Sequence, residues 1–83
     1  MLYRNAVTGR VIRELRQKRG VSQEVLSGFA CISRSHLAMI ENGTKNPNVD
    51  TLWRIAEALG MPLSELIRLV ESEIRQPDEN CAI

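Results

Sequence analysis

The stretch Ser22-Gln23-Glu24-Val25-Leu26-Ser27-Gly28-Phe29-Ala30-Cys31-Ile32-Ser33-Arg34-Ser35-His36-Leu37-Ala38-Met39-Ile40-Glu41-Asn42-Gly43 decides the fold. Ser22 can cap a helix from Gln23 to about Ala30, because its hydroxyl oxygen can accept from the backbone N–H groups that a helix start leaves unpaired. Ser33 can do the same for a helix from Arg34 to Asn42, which Gly43 ends. Val25, Leu26 and Ala30 are expected to face inward from the former, and Leu37 and Ile40 from the latter.

Outward from this pair, apolar residues keep helical spacing and Gly or Pro interrupts them every ten to fifteen positions. A first helix from about Thr8 to Arg19 turns Val11, Ile12 and Leu15 inward and stops at Gly20. After the polar loop Thr44-Lys45-Asn46-Pro47-Asn48, Asn48 can cap a helix from about Val49 to Leu59 that buries Leu52, Ile55, Ala56 and Leu59. Pro62 opens the last helix, through Leu63, Leu66, Ile67, Val70 and Ile74. The expectation is an all-α, compact five-helix domain over residues 1–75, with Gln76 to Ile83 a flexible tail.

The 83 residues suffice for one small domain. No apolar run reaches the eighteen or so residues that span a bilayer, and no signal-peptide pattern opens the chain, so a cytoplasmic protein is expected. Cys31 and Cys81 are too few for a disulfide scaffold and read as isolated thiols. His36 has no set of carboxylates or thiols at metal spacing, so no metal and no cofactor are expected. Ser33, Ser35 and His36 point in different directions from one helix, without an oxyanion donor, which argues against catalysis. The glycines are scattered as helix stops, so no phosphate-cradling loop or small-molecule ligand is evident.

Two short helices joined by a tight turn, the second with a polar outer face, have the layout of a helix-turn-helix that sets its second helix in the major groove of DNA. At about 100° per residue, Leu37 and Ile40 share one side, Ser35, Ala38, Met39 and Asn42 the other, and Arg34 flanks them. Arginine can bond both acceptors of guanine, serine can donate or accept, and Ala or Met can meet a thymine methyl. The wheel alone leaves open a solvated face with one ordinary arginine.

Ser22-Gln23-Glu24-Val25-Leu26, Ile32-Ser33-Arg34-Ser35-His36-Leu37 and Ile40-Glu41-Asn42-Gly43-Thr44-Lys45-Asn46-Pro47 together resemble the Cro/C1-type (XRE) helix-turn-helix family of transcriptional regulators. The resemblance extends back to Arg13-Glu14-Leu15-Arg16 and Gly20, and forward to Thr51-Leu52, Ala56-Glu57-Ala58-Leu59-Gly60 and Leu66. It implies a lambda-repressor-like domain of five helices. It implies base contacts from Arg34, Ser35 and Met39, and DNA-backbone contacts from Gln23, Ser33, His36, Asn42, Thr44, Lys45 and Asn46. It also implies a structural ion pair between Arg16 and Glu41. Size and the Ser33-Arg34-Ser35 start look similar to the controller proteins of restriction-modification systems, and phage-type repressors fit equally.

Three departures stand out. Cys31 occupies the turn where the family most often has glycine, Ser27 a place where a packed alanine is usual, and Phe29 a usually polar site, expected to be covered by Leu2 and Tyr3 or by a partner. Gly28 weakens its helix by about 1 kcal/mol relative to alanine. Trp53 reads most simply as packing, although a partly exposed tryptophan could also serve an interface. The last helix is apolar on more than one side, which suggests a homodimer through the last two helices, with Leu63, Leu66, Ile67, Leu69 and Val70 at the interface. Two copies would set their recognition helices about 34 Å apart on a near-palindromic operator of double-stranded DNA. The alternative is an antitoxin-like adaptor that grips a protein partner through the last helix and the tail.

The overall charge of +1 hides an asymmetry. Residues 1–48 carry eight Lys or Arg against three Glu, a net of +5, and residues 49–83 carry three Arg against seven acids, a net of −4. A one-sided binder of a polyanion requires that polarity.

Overall fold

In the computed structural model, which describes residues 3–75, the chain forms α1 (Tyr3–Lys18), α2 (Gln23–Ala30), α3 (Arg34–Glu41), α4 (Val49–Ala58) and α5 (Leu63–Arg75). The described residues contain no strand, and none of their helices is long and apolar enough to cross a membrane. The tail read from Gln76 onward lies outside the described residues.

Polar caps start the three central helices. Ser22 Oγ accepts from Val25 N at 3.1 Å, Ser33 Oγ from His36 N at 3.0 Å, and Asn48 Oδ1 from Thr51 N at 2.8 Å. Each satisfies an N–H group that has no partner inside its helix.

One core joins the elements. Val7, Ile12, Leu26, Leu37, Ile40, Ile55, Leu59 and Leu66 are its largest fully buried side chains. Helix α2 packs on α3 and α4, α1 on α3 and α5, and α4 on α5. The short α2–α3 pair is thus held from behind by α1 and α4, and α5 packs on both of those.

Four expectations need correction. Helix α1 begins at Tyr3 and not at Thr8, which makes Val7 a core residue. The glycine in its first half has a packing role: a Cβ on Gly9 would strike the carbonyl oxygen of Ile40 and come within 2.6 Å of that of Glu41. Only a missing side chain lets α1 cross the end of α3 so closely. Val25 is exposed, since α2 turns Leu26, Ser27 and Ala30 inward instead. Phe29 is 71% exposed, so nothing among the described residues covers it; Leu2 and the side chain of Tyr3 lie outside them. Trp53 is 52% exposed, because Leu52, Ile55 and Ala56 supply α4's packing face and leave the indole beside it.

Candidate nucleic-acid interface

The turn between α2 and α3 sets the angle of α3. Cys31 N donates to Gly28 O at 3.2 Å and Ile32 N to Ser27 O at 3.0 Å, the paired bonds of a Schellman helix end. That motif needs a left-handed residue, and Cys31 supplies it at φ 60° and ψ 42°. Ser27, at the alanine-like position, is buried and donates its hydroxyl to Glu24 O at 3.1 Å, so its polarity is satisfied.

Leu37 and Ile40 are buried and fix the inner face of α3. Arg34, Ser35 and Met39 are exposed, and His36 and Ala38 are half-buried at the sides. Ser33 is exposed, and its oxygen caps α3 while its proton stays available to donate. Asn42, Thr44, Lys45 and Asn46 are all exposed in the following loop. Asn42 Oδ1 accepts from Thr44 N at 3.1 Å and from Thr44 Oγ1 at 2.8 Å, an Asx turn that shapes this loop from within. Gln23 is half-buried at the first position of α2 and lines a concavity of about 690 Å³ with Arg16, Ser22, Glu24 and Arg34. The residues expected to meet base edges thus share the outer face of α3, and Gln23 and Arg34 both line that concavity. Asn42 to Asn46 follow at the other end of α3.

Behind this face lies a buried ion pair. Arg16 Nε donates to Glu41 Oε2 at 2.7 Å and Nη2 to Oε1 at 3.0 Å, with side-chain exposures of 12% and 2%. Gln23 Nε2 also donates to Glu41 Oε1, at 2.9 Å, and Arg16 Nη1 to Val21 O at 2.9 Å. No buried side-chain polar atom among the described residues lacks a partner. The hydrogen bond from Gln23 has no signal in the sequence, because eighteen positions separate the two residues.

A helix-turn-helix family profile matches residues 12–66, which contain α2, α3 and the buried pair. The chain belongs to the Cro/C1-type (XRE) helix-turn-helix family. The HTH-type transcriptional regulator DdrOP3 of Deinococcus deserti is 38% identical over 60 residues, 72% of this chain and 46% of that protein. An uncharacterized HTH-type regulator, y4dJ of Sinorhizobium fredii, is 34% identical over 61 residues, 74% of this chain and 79% of its own length. Among solved structures, the restriction-modification controller protein C.AhdI of Aeromonas hydrophila superposes with a TM-score of 0.73 at 32% identity, covering 75% of this chain and 94% of that one. The chain spans less than half of DdrOP3 but most of y4dJ.

The expected dimer face divides in two. Leu66 is fully buried and Val70 nearly so, both inside the monomer core, so neither can meet a second copy. Leu63 and Leu69 are half-buried against that core. Ile67 alone of the five is exposed, at 41%, and it lines a groove between α4 and α5 with Trp53, Pro62, Leu63 and Arg68. Helix α5 meets α1 on one side and α4 on another, which consumes the apolar faces that a single-helix wheel left unassigned. At the rim, the hydrogen bond from Arg68 holds the Glu65 carboxyl below its ordinary pKa.

Proposed function

We propose that this protein is a sequence-specific, double-stranded DNA-binding transcriptional regulator, not an enzyme, acting in the cytoplasm as a homodimer on a near-palindromic operator. The observation that carries this reading is the division of α3: Leu37 and Ile40 are locked in the core while Arg34, Ser35 and Met39 stand exposed on the other side. A helix presented this way can enter a groove without unfolding anything. Arg34 reads a guanine through its two donors, Ser35 bonds a base edge and Met39 packs against a thymine methyl. Gln23, Ser33, His36, Asn42, Thr44, Lys45 and Asn46 hold the sugar-phosphate backbone and set the register.

The homodimer forms through the groove bearing Trp53, Leu63 and Ile67 rather than through Leu66 and Val70. Exposed aromatic and aliphatic side chains beside one another favour such a contact, with Trp53 the anchor. An isologous pairing then presents two α3 helices about one turn of DNA apart.

The test is a fluorescence-anisotropy titration of labelled promoter duplexes, the protein's own promoter included, over a series of salt concentrations. Affinity is expected to fall steeply with salt, because phosphate neutralisation releases counterions, and to discriminate the operator from a scrambled duplex. Binding without sequence preference and without salt dependence would sink the reading. Sedimentation of Ile67→Glu tests the dimer: a shift to monomer with weakened operator binding is expected, and an unchanged dimer would place the interface elsewhere.

A further inference from the structure

We propose that Glu41 is a positioning residue for the DNA-phosphate contact and acts through Gln23. The assignment rests on the DNA-binding reading above and adds to it a residue that is itself sealed from DNA. The Glu41 side chain is 2% exposed and takes two hydrogen bonds from Arg16, which suffice to neutralise and hold it. The ion pair needs no third donor, yet Gln23 Nε2 reaches the same Oε1 at 2.9 Å.

That third bond fixes something a glutamine otherwise leaves open. The two ends of its amide are a double donor and an acceptor of nearly equal size. With the carboxylate beneath it, turning the amide over would set oxygen against oxygen, so Glu41 selects the orientation in which Nε2 lies at the start of α2. One Nε2 proton is used by Glu41, and the second has no partner among the described residues. The amino group is therefore held as a donor on the first residue of α2, the helix whose N-terminus favours a phosphate. An amide not so held would have to be ordered, and in half its orientations turned, at the moment of binding.

Arg16 completes the device by fixing Glu41 and by bonding Val21 O at 2.9 Å, immediately before the cap of α2. One buried carboxylate thus couples α1, the entry to α2 and the end of α3 to the orientation of a single surface amide.

The experiment is a double-mutant cycle on operator affinity, run in the full chain. Gln23→Ala is expected to weaken binding about tenfold in the wild-type background, the scale of one hydrogen bond to a charged group. In the Arg16→Met/Glu41→Leu background, which removes the ion pair without stranding a buried charge, the same change is expected to cost less than about threefold, because a free amide forms a weaker contact. Equal penalties in the two backgrounds would overturn the assignment while leaving the DNA reading intact. A wild-type chain that binds no duplex would overturn both.

Should the paired variant fail to fold, the side-chain amide protons of Gln23 in the wild-type protein decide by NMR. One slowly exchanging proton in the free protein, and a second that becomes protected when operator duplex is added, is the expected result. Two protons exchanging at the rate of a free amide would overturn the assignment.

Discussion

Replacing Cys31 by glycine should make the protein more stable. Cys31 adopts φ 60° and ψ 42°, a left-handed conformation that costs an L-residue about 1–2 kcal/mol because its Cβ crowds a carbonyl oxygen. Glycine adopts it freely, but it also gives the unfolded chain more freedom, which takes back about 0.4–1 kcal/mol. The thiol is exposed, so its loss opens no cavity. The net gain is about 0.5–1 kcal/mol, which for a domain of this size raises Tm by roughly 2–8 °C. Reversible thermal unfolding under reducing conditions, with Cys31→Ala beside it, measures the effect. Alanine keeps the Cβ and should give no gain. If glycine is no more stable than alanine, the strain at this turn is not what the backbone geometry implies.

Further outcomes follow from the packing. Gly28→Ala should add about 1 kcal/mol in denaturant unfolding, since a mid-helix glycine is replaced and the new Cβ meets nothing within 4 Å. Gly9→Ala should destabilise by about 1–3 kcal/mol, because its Cβ would be driven into the backbone at the end of α3; a neutral result would contradict the close crossing. Glu41→Ala should cost about 3–5 kcal/mol by leaving Arg16 charged and unpaired at 12% exposure, whereas Arg16→Met/Glu41→Leu should recover most of that loss. Equal instability of the single and paired variants in urea would show that the pair's charge is not the cost.

Much of this was legible in the sequence because the signals were local. Ser22, Ser33 and Asn48 announce the starts of α2, α3 and α4 through a polar atom one turn from the N–H group it caps, and each does so in the structure. The turn departure at Cys31 was legible only against the family resemblance, which expects glycine there. The start of α1 was not, because Leu2 ahead of Tyr3 is no capping residue whereas Thr8 is of a capping type. The division of α5 was hidden too. Leu66, Ile67, Leu69 and Val70 are all apolar, and only the positions of α1 and α4 decide that Leu66 and Val70 are core while Ile67 faces out. Trp53 sits at the edge of α4's stripe, where a small rotation of the helix separates packing from exposure. In the interface, the types and order of Arg34, Ser35 and Met39 were readable, but the bond from Gln23 to Glu41 joins positions that only tertiary packing brings together.

The most direct test of the central claim is selection of bound duplexes from a randomised pool, run in parallel with the wild-type chain and Arg34→Ala. The account predicts a near-palindromic sequence for the wild type, with half-site centres about 10 base pairs apart. It predicts loss of preference at one symmetric pair of guanines for Arg34→Ala, with a cost of about 1–3 kcal/mol at the wild-type site. An identical selected sequence for the two proteins would contradict the assignment of α3 as the reading helix.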